Sequence, residues 1–545
     1  MKGKRDGRLS RKARILLTAG IVAAVLLGAW FGVQAWLGYK VTELLESAPL
    51  NLDGSAYVAD VRKTRVDMAR RSVTLYGVSI RTQKHSHNRR NGPVPVLEAS
   101  AARISASGVH FRRERDILPA GLRIRNIEVE SPEILFEGIP GSGCDTCRTE
   151  TTGRKLDVAI DRLAVRNATV HAGLWAGDEK NTLSVEGLDL TLRGIALDGT
   201  PAPDTLRTEQ TARQAVAAAR LSVRNCSYAF KNGALKIEAD TLSADTETGT
   251  LSAERLALLP QYDKYQYSLR VGDHTDWVLL DVKDVAGTGV RFPYLSGEQT
   301  FRADSVGVGS VEIDSYKDRN QPQSPAFRQM LYTSVQRIPV GIDIPVIDAH
   351  NINIRYEEVS KGASVPGVVR FTDMNARVTG LTNRPREEAQ QYRIYAEGYL
   401  FGGAPVTTVL SLPADSLNDR FSLRAVAGPM SATLASPVTE PIANVRIVSG
   451  DIHSVRVELS GNSLRAQSVV DMRYDDLQIA ILRKNDPDRE RELLTTIANG
   501  MVLHRNNPQD GKLRIGHGAF ERDPQKSFWN YLWKTSFAGV SDIVM

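Results

Sequence analysis

Along most of the chain, apolar residues fall on every second position. SVTLYGVSI (72–80), LRIRNIEVESPEILF (122–136), LDVAIDRLAVRNATVHAGL (156–174) and LSVEGLDLTLRGIAL (183–197) keep this period. It puts apolar side chains on one face of an extended strand and polar ones on the other. The pattern returns in LKIEADTLSADTETGTLSAERLAL (235–258), IDIPVIDAHNINIRYEE (342–358), VRFTDMNARVTGL (369–381) and RIVSGDIHSVRVELSGNSLRAQSVVDMRYDDLQIAIL (446–482). Gly, Asn and Asp turns, not helices, separate most of these segments, so a mainly β protein of antiparallel meanders and hairpins is expected. IRNIEVESPEILF, IDRLAVRNATVHA and IDAHNINIRYEE also share a loose repeat. Each runs as a strand, a short polar break and a second strand, which predicts a quasi-linear sheet growing hairpin by hairpin.

Departures from the alternation mark boundaries. TQKHSHNRRNGPVP (82–95) reads as an exposed loop, with His85 and His87 solvated. Residues 315–339 begin as a linker and then predict one helix over 325–335, opened by Ser324 and Pro325. NDPDRERELLTTIANGMVL (485–503) has acids in its first turn and Gly500 near its end, a second helix. A strand over 512–520 follows. In SFWNYLWKTSFAGV (527–540), Trp529, Trp533 and Phe537 fall at i, i+4 and i+8, flanked by Phe528 and Leu532. Such a face either lies in a membrane interface or caps the end of the sheet. The membrane-interface candidates are Phe528, Trp529, Trp533 and Phe537.

Residues 15–37, ILLTAGIVAAVLLGAWFGVQAWL, carry no charge. They cover the ~20 residues that a ~30 Å hydrocarbon core requires. Trp30, Trp36 and Tyr39 sit toward the far end, where an aromatic belt belongs. Seven basic residues (Lys2, Lys4, Arg5, Arg8, Arg11, Lys12 and Arg14) precede the run, opposed only by Asp6. This places the N-terminus in the cytoplasm and the body across the membrane. A cleaved signal peptide is the rival, but the apolar run exceeds the 7–15 residues of a signal core and continues into the helix-like KVTELLES without a small-x-small site. The expected division is 1–14 cytoplasmic tail, 15–37 transmembrane helix, 38–315 N-terminal periplasmic β region, 316–340 linker and helix, 341–483 second β region, and 484–545 C-terminal helices and strand.

Composition narrows the function. The net charge is +6 over 545 residues, and the basic tail carries essentially all of it. The near-neutral body offers no electrostatic case for nucleic acid. A mean hydropathy of -0.25 excludes a polytopic membrane protein. Cys144 and Cys147 form a lone CxxC in GSGCDTCRTE, with neither the second pair of a zinc ribbon nor a thioredoxin-like setting, and Cys226 reads as buried. HExxH, GxSxG and GxxxxGK[ST] are absent, and His110, His171, His350, His453 and His517 lie scattered in or beside strands. No catalytic residue, metal ligand or cofactor is assigned, and the chain is read as a non-enzyme.

A binding role is better supported. Long amphipathic strands with few helices to cover them leave an apolar face that meets either a second sheet or a ligand. A groove suits acyl chains, because exposing hydrocarbon to water costs ~0.8 kcal/mol per CH₂. Candidate groove residues are Val73, Leu75, Ile127, Val129, Ile352 and Ile354.

The basic tail and single anchor, followed by SAYVADVRKTRVDMARRSVTLYGVSI (55–80) and the recurring IDRLAVRNATVHA and IDAHNINIRYEE units, resemble the AsmA-like family of Gram-negative bacteria. TamB and YhdP are among its larger relatives. YDDLQIAILRK, LLTTIANGMVLHRNNP and FERDPQKSFWNYLWKTSFAGV look like the end of a subgroup of such proteins. The resemblance implies an elongated, curved antiparallel sheet with an apolar groove in the periplasm. It also implies movement of membrane phospholipid toward the outer membrane, or maintenance of that membrane. The expected partners are phospholipid, the inner membrane through the N-terminal helix, and outer-membrane or envelope proteins. The alternative is a non-enzymatic assembly factor or scaffold that acts through exposed sheet edges.

Overall fold

The computed structural model describes residues 34–35, 39–40, 50–52, 55–82, 96–113, 119–138, 157–176, 179–197, 216–272, 275–293, 300–322, 326–384, 391–413, 419–481 and 504–545. Among the described residues, strand accounts for 68% and helix for 12%. The chain is therefore mainly β and antiparallel-rich, as its alternation demands. It divides into two compact units, Met1–Ser222 and Val223–Met545. The expected anchor at 15–37, the stub at 41–47, the loop at 82–95, Cys144 and Cys147, and the helix at 485–503 lie wholly or almost wholly outside the described residues. Among the described residues, no helix is long and apolar enough to cross a membrane.

In the first unit, β1 (Leu50–Leu52), β2 (Ser55–Asp67), β3 (Ser72–Thr82) and β4 (Val96–Arg113) pair antiparallel in sequence. β5 (Pro119–Glu130) and β6 (Glu133–Gly138) act as one strand interrupted at Ser131 and Pro132. Both pair antiparallel with β4 and parallel with β7 (Asp157–Ala176), which pairs antiparallel with β8 (Glu179–Leu197).

The second unit repeats this arrangement. The end of β9 (Ala218–Phe230) pairs with β10 (Leu235–Asp245), followed by β11 (Thr250–Pro260) and β12 (Trp277–Thr288). A second interrupted strand, β13 (Thr300–Arg302), β14 (Ser305–Val308) and β15 (Ser310–Asp318), then runs parallel to β16 (Gly341–Val359). Its β14 and β15 pieces pair antiparallel with β12. Antiparallel pairing continues through β17 (Gly367–Thr382), β18 (Gln391–Leu400), β19 (Ala404–Pro413) and β20 (Phe421–Ala427). After the two-residue β21 (Met430–Ser431), β22 (Val445–Gly461), β23 (Arg465–Ile481) and β24 (Ile515–Glu521) complete the series. Four helices are described: α1 (Lys264–Val271), α2 (Leu331–Gln336), α3 (Ser436–Ala443) and α4 (Phe528–Val544).

Three expectations need correction. The polar breaks in the repeated segments are not hairpin turns. β7 and β16 run through them for 20 and 19 residues, with Asn167 at φ 50° and Asn351 at φ 46°. One left-handed residue interrupts the ladder without reversing the chain, and Asn tolerates that conformation better than most residues. Second, two of the repeated segments meet side by side as parallel neighbours. Ile124 pairs with Ile160 and Val129 with Val165, so IRNIEV and IDRLAV lie in register. Third, the helix expected over 325–335 is confined to Leu331–Gln336. Residues 326–330 stay out of the helix because Arg328 N–H donates to the Pro524 carbonyl, Arg522 donates to the Arg328 carbonyl, and Met330 is buried in the core. Tertiary pairing overrides a local helix signal there.

The left-handed positions align from strand to strand. In the first unit, Gly77, Ser131, Asn167 and Gly187 fall along one line across the ladder, and Gly108 and Gly194 mark a second. In the second unit, Thr241, Asp284, Asn351 and Asp373 form a third. A left-handed residue in a strand bends it and raises its twist, so such positions in line bend the sheet within each unit.

The largest core lies at the C-terminal end of the second unit. α4 and α2 pack on β18–β24, burying Tyr392, Leu410, Leu412, Phe421, Leu459, Val470 and Tyr474 beneath Phe528, Tyr531, Leu532 and Ile543.

Candidate functional site

Ladder partners across a sheet point to the same side, as do residues two apart along a strand. The register therefore shows which candidate side chains share a face. In the first unit, Val66, Val73, Ala106, Ile127, Leu163 and Leu192 form one continuous row across β2, β3, β4, β5, β7 and β8. Two residues along, Thr64, Leu75, Ile104, Val129, Val165 and Leu190 form the next. Four of the residues singled out from sequence, Val73, Leu75, Ile127 and Val129, thus come together on one face. All twelve side chains are half-buried. The intervening row on the other face is Arg65, Thr74, Ser105, Glu128, Ala164 and Thr191, largely polar.

The second unit has the same construction. Ile237, Leu258, Leu280, Ile313, Ile354, Phe371 and Leu400 form one row from β10 to β18. Ala239, Leu256, Val282, Val311, Ile352 and Met374 form its neighbour. Ile352 and Ile354 sit in these rows, half-buried. Charge occupies the opposite face. Arg255 lies 2.8 Å from Asp281, 3.5 Å from Asp240 and 3.6 Å from Glu238, and Asn353 donates to Glu312 at 2.7 Å. The Asp281 carboxylate, ahead of the other acids, holds the Arg255 guanidinium above its ordinary pKa.

The apolar rows are thus only partly covered, whereas the same sheet from β18 onward is sealed by α4. The helix supplies its own sealing chemistry. The Ser527 side chain caps the first turn by accepting from Asn530 N–H at 3.2 Å, and Gly516, Gly518 and Gly539 let the helix backbone sit directly on β24. A Cβ on Gly516 would run into the Gly539 carbonyl.

The four aromatics expected at a membrane interface separate into two groups. Phe528 is 4% exposed and packs edge-on against Phe421 at 5.0 Å, so it belongs to the core and not to the outer face. Its position one residue before Trp529 turns it about 100° around the helix, onto the sheet side. Trp529, Trp533 and Phe537 are 62%, 43% and 42% exposed, with Trp533 stacked on Phe537.

Sequence reading missed a polar cluster where the rows of the second unit end. Glu357 and Glu358 are buried on β16, held by Lys264 at 2.6 Å and Arg319 at 2.9 Å respectively. Tyr356 donates to Glu358 at 2.6 Å, and burial foremost pushes its phenol well above the ordinary range. The consecutive acids in RYEEV were the only signal, and acid pairs are common by chance. Among the described residues, no group of three or more His, Cys, Asp or Glu is placed to hold a metal ion. No family model matches the chain, and no curated protein matches it.

Proposed function

We propose that this chain is a periplasmic lipid-binding or lipid-transfer protein of the AsmA-like kind, carrying acyl chains along the apolar rows of its creased sheet. The observation that carries this reading is the two sets of aligned aliphatic rows, mostly half-buried and backed by a polar face in the first unit and a charged one in the second. Covering one leucine-sized side chain is worth about 1.5–3 kcal/mol, so a dozen half-buried ones have a strong demand for cover. A fatty tail meets that demand without requiring polar partners. The resemblance of the basic tail, the apolar run and the repeated units to the family supports the same reading.

In this reading, residues 15–37 anchor the chain once in the inner membrane, with the N-terminus cytoplasmic and the body periplasmic. The outer stripe of α4, Trp529, Trp533 and Phe537, rests against a membrane surface, where amphipathic aromatic rings are favoured. No catalytic step is assigned. The alternative, a scaffold that pairs through its sheet edges, is less favoured at β24. There the outward His517 N–H is already taken by the Asp542 carboxylate at 2.9 Å, a local block to strand addition.

Mass spectrometry of lipid bound to the purified full chain tests the reading. Phospholipid is expected on the wild type and substantially less on an Ile354→Asp or Val129→Asp variant that keeps its β circular dichroism. A lipid-free wild type would refute the proposal.

A further inference from the structure

Among the described residues, Leu464 is the most exposed large apolar side chain, at 74%, and Trp529 and Phe327 are 62% and 59% exposed. All three border the short segment that joins β24 to α4. Arg522 N–H donates to the Leu464 carbonyl at 2.8 Å, and the Arg522 guanidinium lies 5.5 Å from the centre of the Phe327 ring. Next to Phe327, Arg328 N–H donates to the Pro524 carbonyl at 2.8 Å. Trp529 stands in the first turn of α4. That helix runs back along β24, since Gly518 faces Thr535 and Gly539 while Gly516 faces Gly539 and Ile543. Its first turn therefore lies at the Glu521 end of β24, where Arg465 pairs with Glu521 and the turn from β22 to β23 begins.

We infer that Leu464, Phe327 and Trp529 form a tip that enters the surface of an anionic phospholipid membrane. The inference rests on the membrane contact read for α4 above, not on lipid in the rows, and it adds the end of the β22–β23 hairpin to that contact. The tip is held outward by the fold. Asn462 Oδ1 accepts from Leu464 N–H at 2.8 Å and from Arg465 N–H at 3.1 Å, an Asx turn. The Tyr531 hydroxyl, in the core, donates to the Asn462 carbonyl at 3.3 Å, so the turn is tied to α4. A hairpin tip and a helix start suit a deformable surface better than a shaped protein partner. Large apolar side chains gathered at one exposed place mark a contact, and aromatic rings beside cations are favoured at lipid head groups. The charge fits an anionic surface: Arg328, Arg465, Arg522 and Lys526 stand in and beside the joining segment, against Glu521 and Asp523.

The test places a photo-reactive benzophenone side chain at one position at a time in the purified full chain, mixed with vesicles of dioleoyl phosphatidylcholine and phosphatidylglycerol. The positions are Leu464 and Phe327 at the tip, Trp533 on the α4 stripe, and Val448. Val448 is 43% exposed but lies 13 residues before Gly461 on β22, roughly 40 Å along the strand from the tip. Lipid adducts are expected at Leu464, Phe327 and Trp533, and not at Val448. In a chain that also carries Leu464→Ser and Trp529→Ser, both at exposed positions, adducts at Phe327 should fall about tenfold. They should fall by a similar factor on vesicles of phosphatidylcholine alone. Adducts at Trp533 with none at Leu464 and Phe327 would overturn the tip and leave the α4 contact standing. None at any of the three would overturn the α4 contact as well. Adducts as frequent at Val448 as at Leu464, or protein adducts to a second copy of the chain in place of lipid, would also overturn the proposal.

Discussion

At the scale of single residues, the closest fit in the molecule is where α4 meets β24. Gly516, Gly518 and Gly539 are used for absence of bulk, and Ser468 Oγ donates to the Thr535 carbonyl at 2.7 Å across the same contact. Gly516→Ala should destabilise the second unit by about 1–3 kcal/mol, because the obstacle is backbone and cannot rotate away. Urea unfolding followed by tryptophan fluorescence measures it. Tyr531 in the same core is buried, and burial pushes its phenol up to about 12 from an ordinary 10.0. A raised folded pKa contributes stability that is complete below pH 10 and is lost as pH rises toward 12. The fall in stability over that window should be shallower in Tyr531→Phe, though not abolished, since Tyr392 is also held up to about 12.

At the scale of the strand, the lined-up left-handed residues explain both what the sequence pattern revealed and what it concealed. Alternation identified the strands of β3, β7, β8 and β16, and it selected Val73, Leu75, Ile127, Val129, Ile352 and Ile354, which share faces within their units. It misread Asn167 and Asn351 as turn residues, because Asn favours both a turn and an in-strand left-handed position. The parallel steps were hidden as well, since alternation fixes which face a side chain takes but not the direction of the neighbouring strand. Phe528 flanks the Trp529, Trp533 and Phe537 stripe in sequence, although helical spacing puts it on the other side from Trp533. Asn351→Val puts a β-branched residue at φ 46°. It should cost about 1–2 kcal/mol, while Asn351→Gly stays within a few tenths. Comparing their thermal midpoints checks the role of the crease.

At the scale of the whole molecule, the contrast between sealed and partly covered sheet is the central physical fact. From β18 to β24 the apolar side is closed by α4 and α2, giving an ordinary core. From β2 to β8, and again from β10 to β17, rows of mostly half-buried aliphatic side chains lie in front of a polar face in the first unit and a charged one in the second. Hydrocarbon from outside the chain is the occupant proposed for those rows. Face-resolved photo-crosslinking in cells tests this most directly, with the reactive residue placed at Val73, Leu75 or Ile354 on the apolar side and at Thr74 or Asn353 on the polar side. Phospholipid adducts at the first three positions and none at the last two are predicted. Adducts equally frequent on both sides, or absent from Val73, Leu75 and Ile354, would contradict the account.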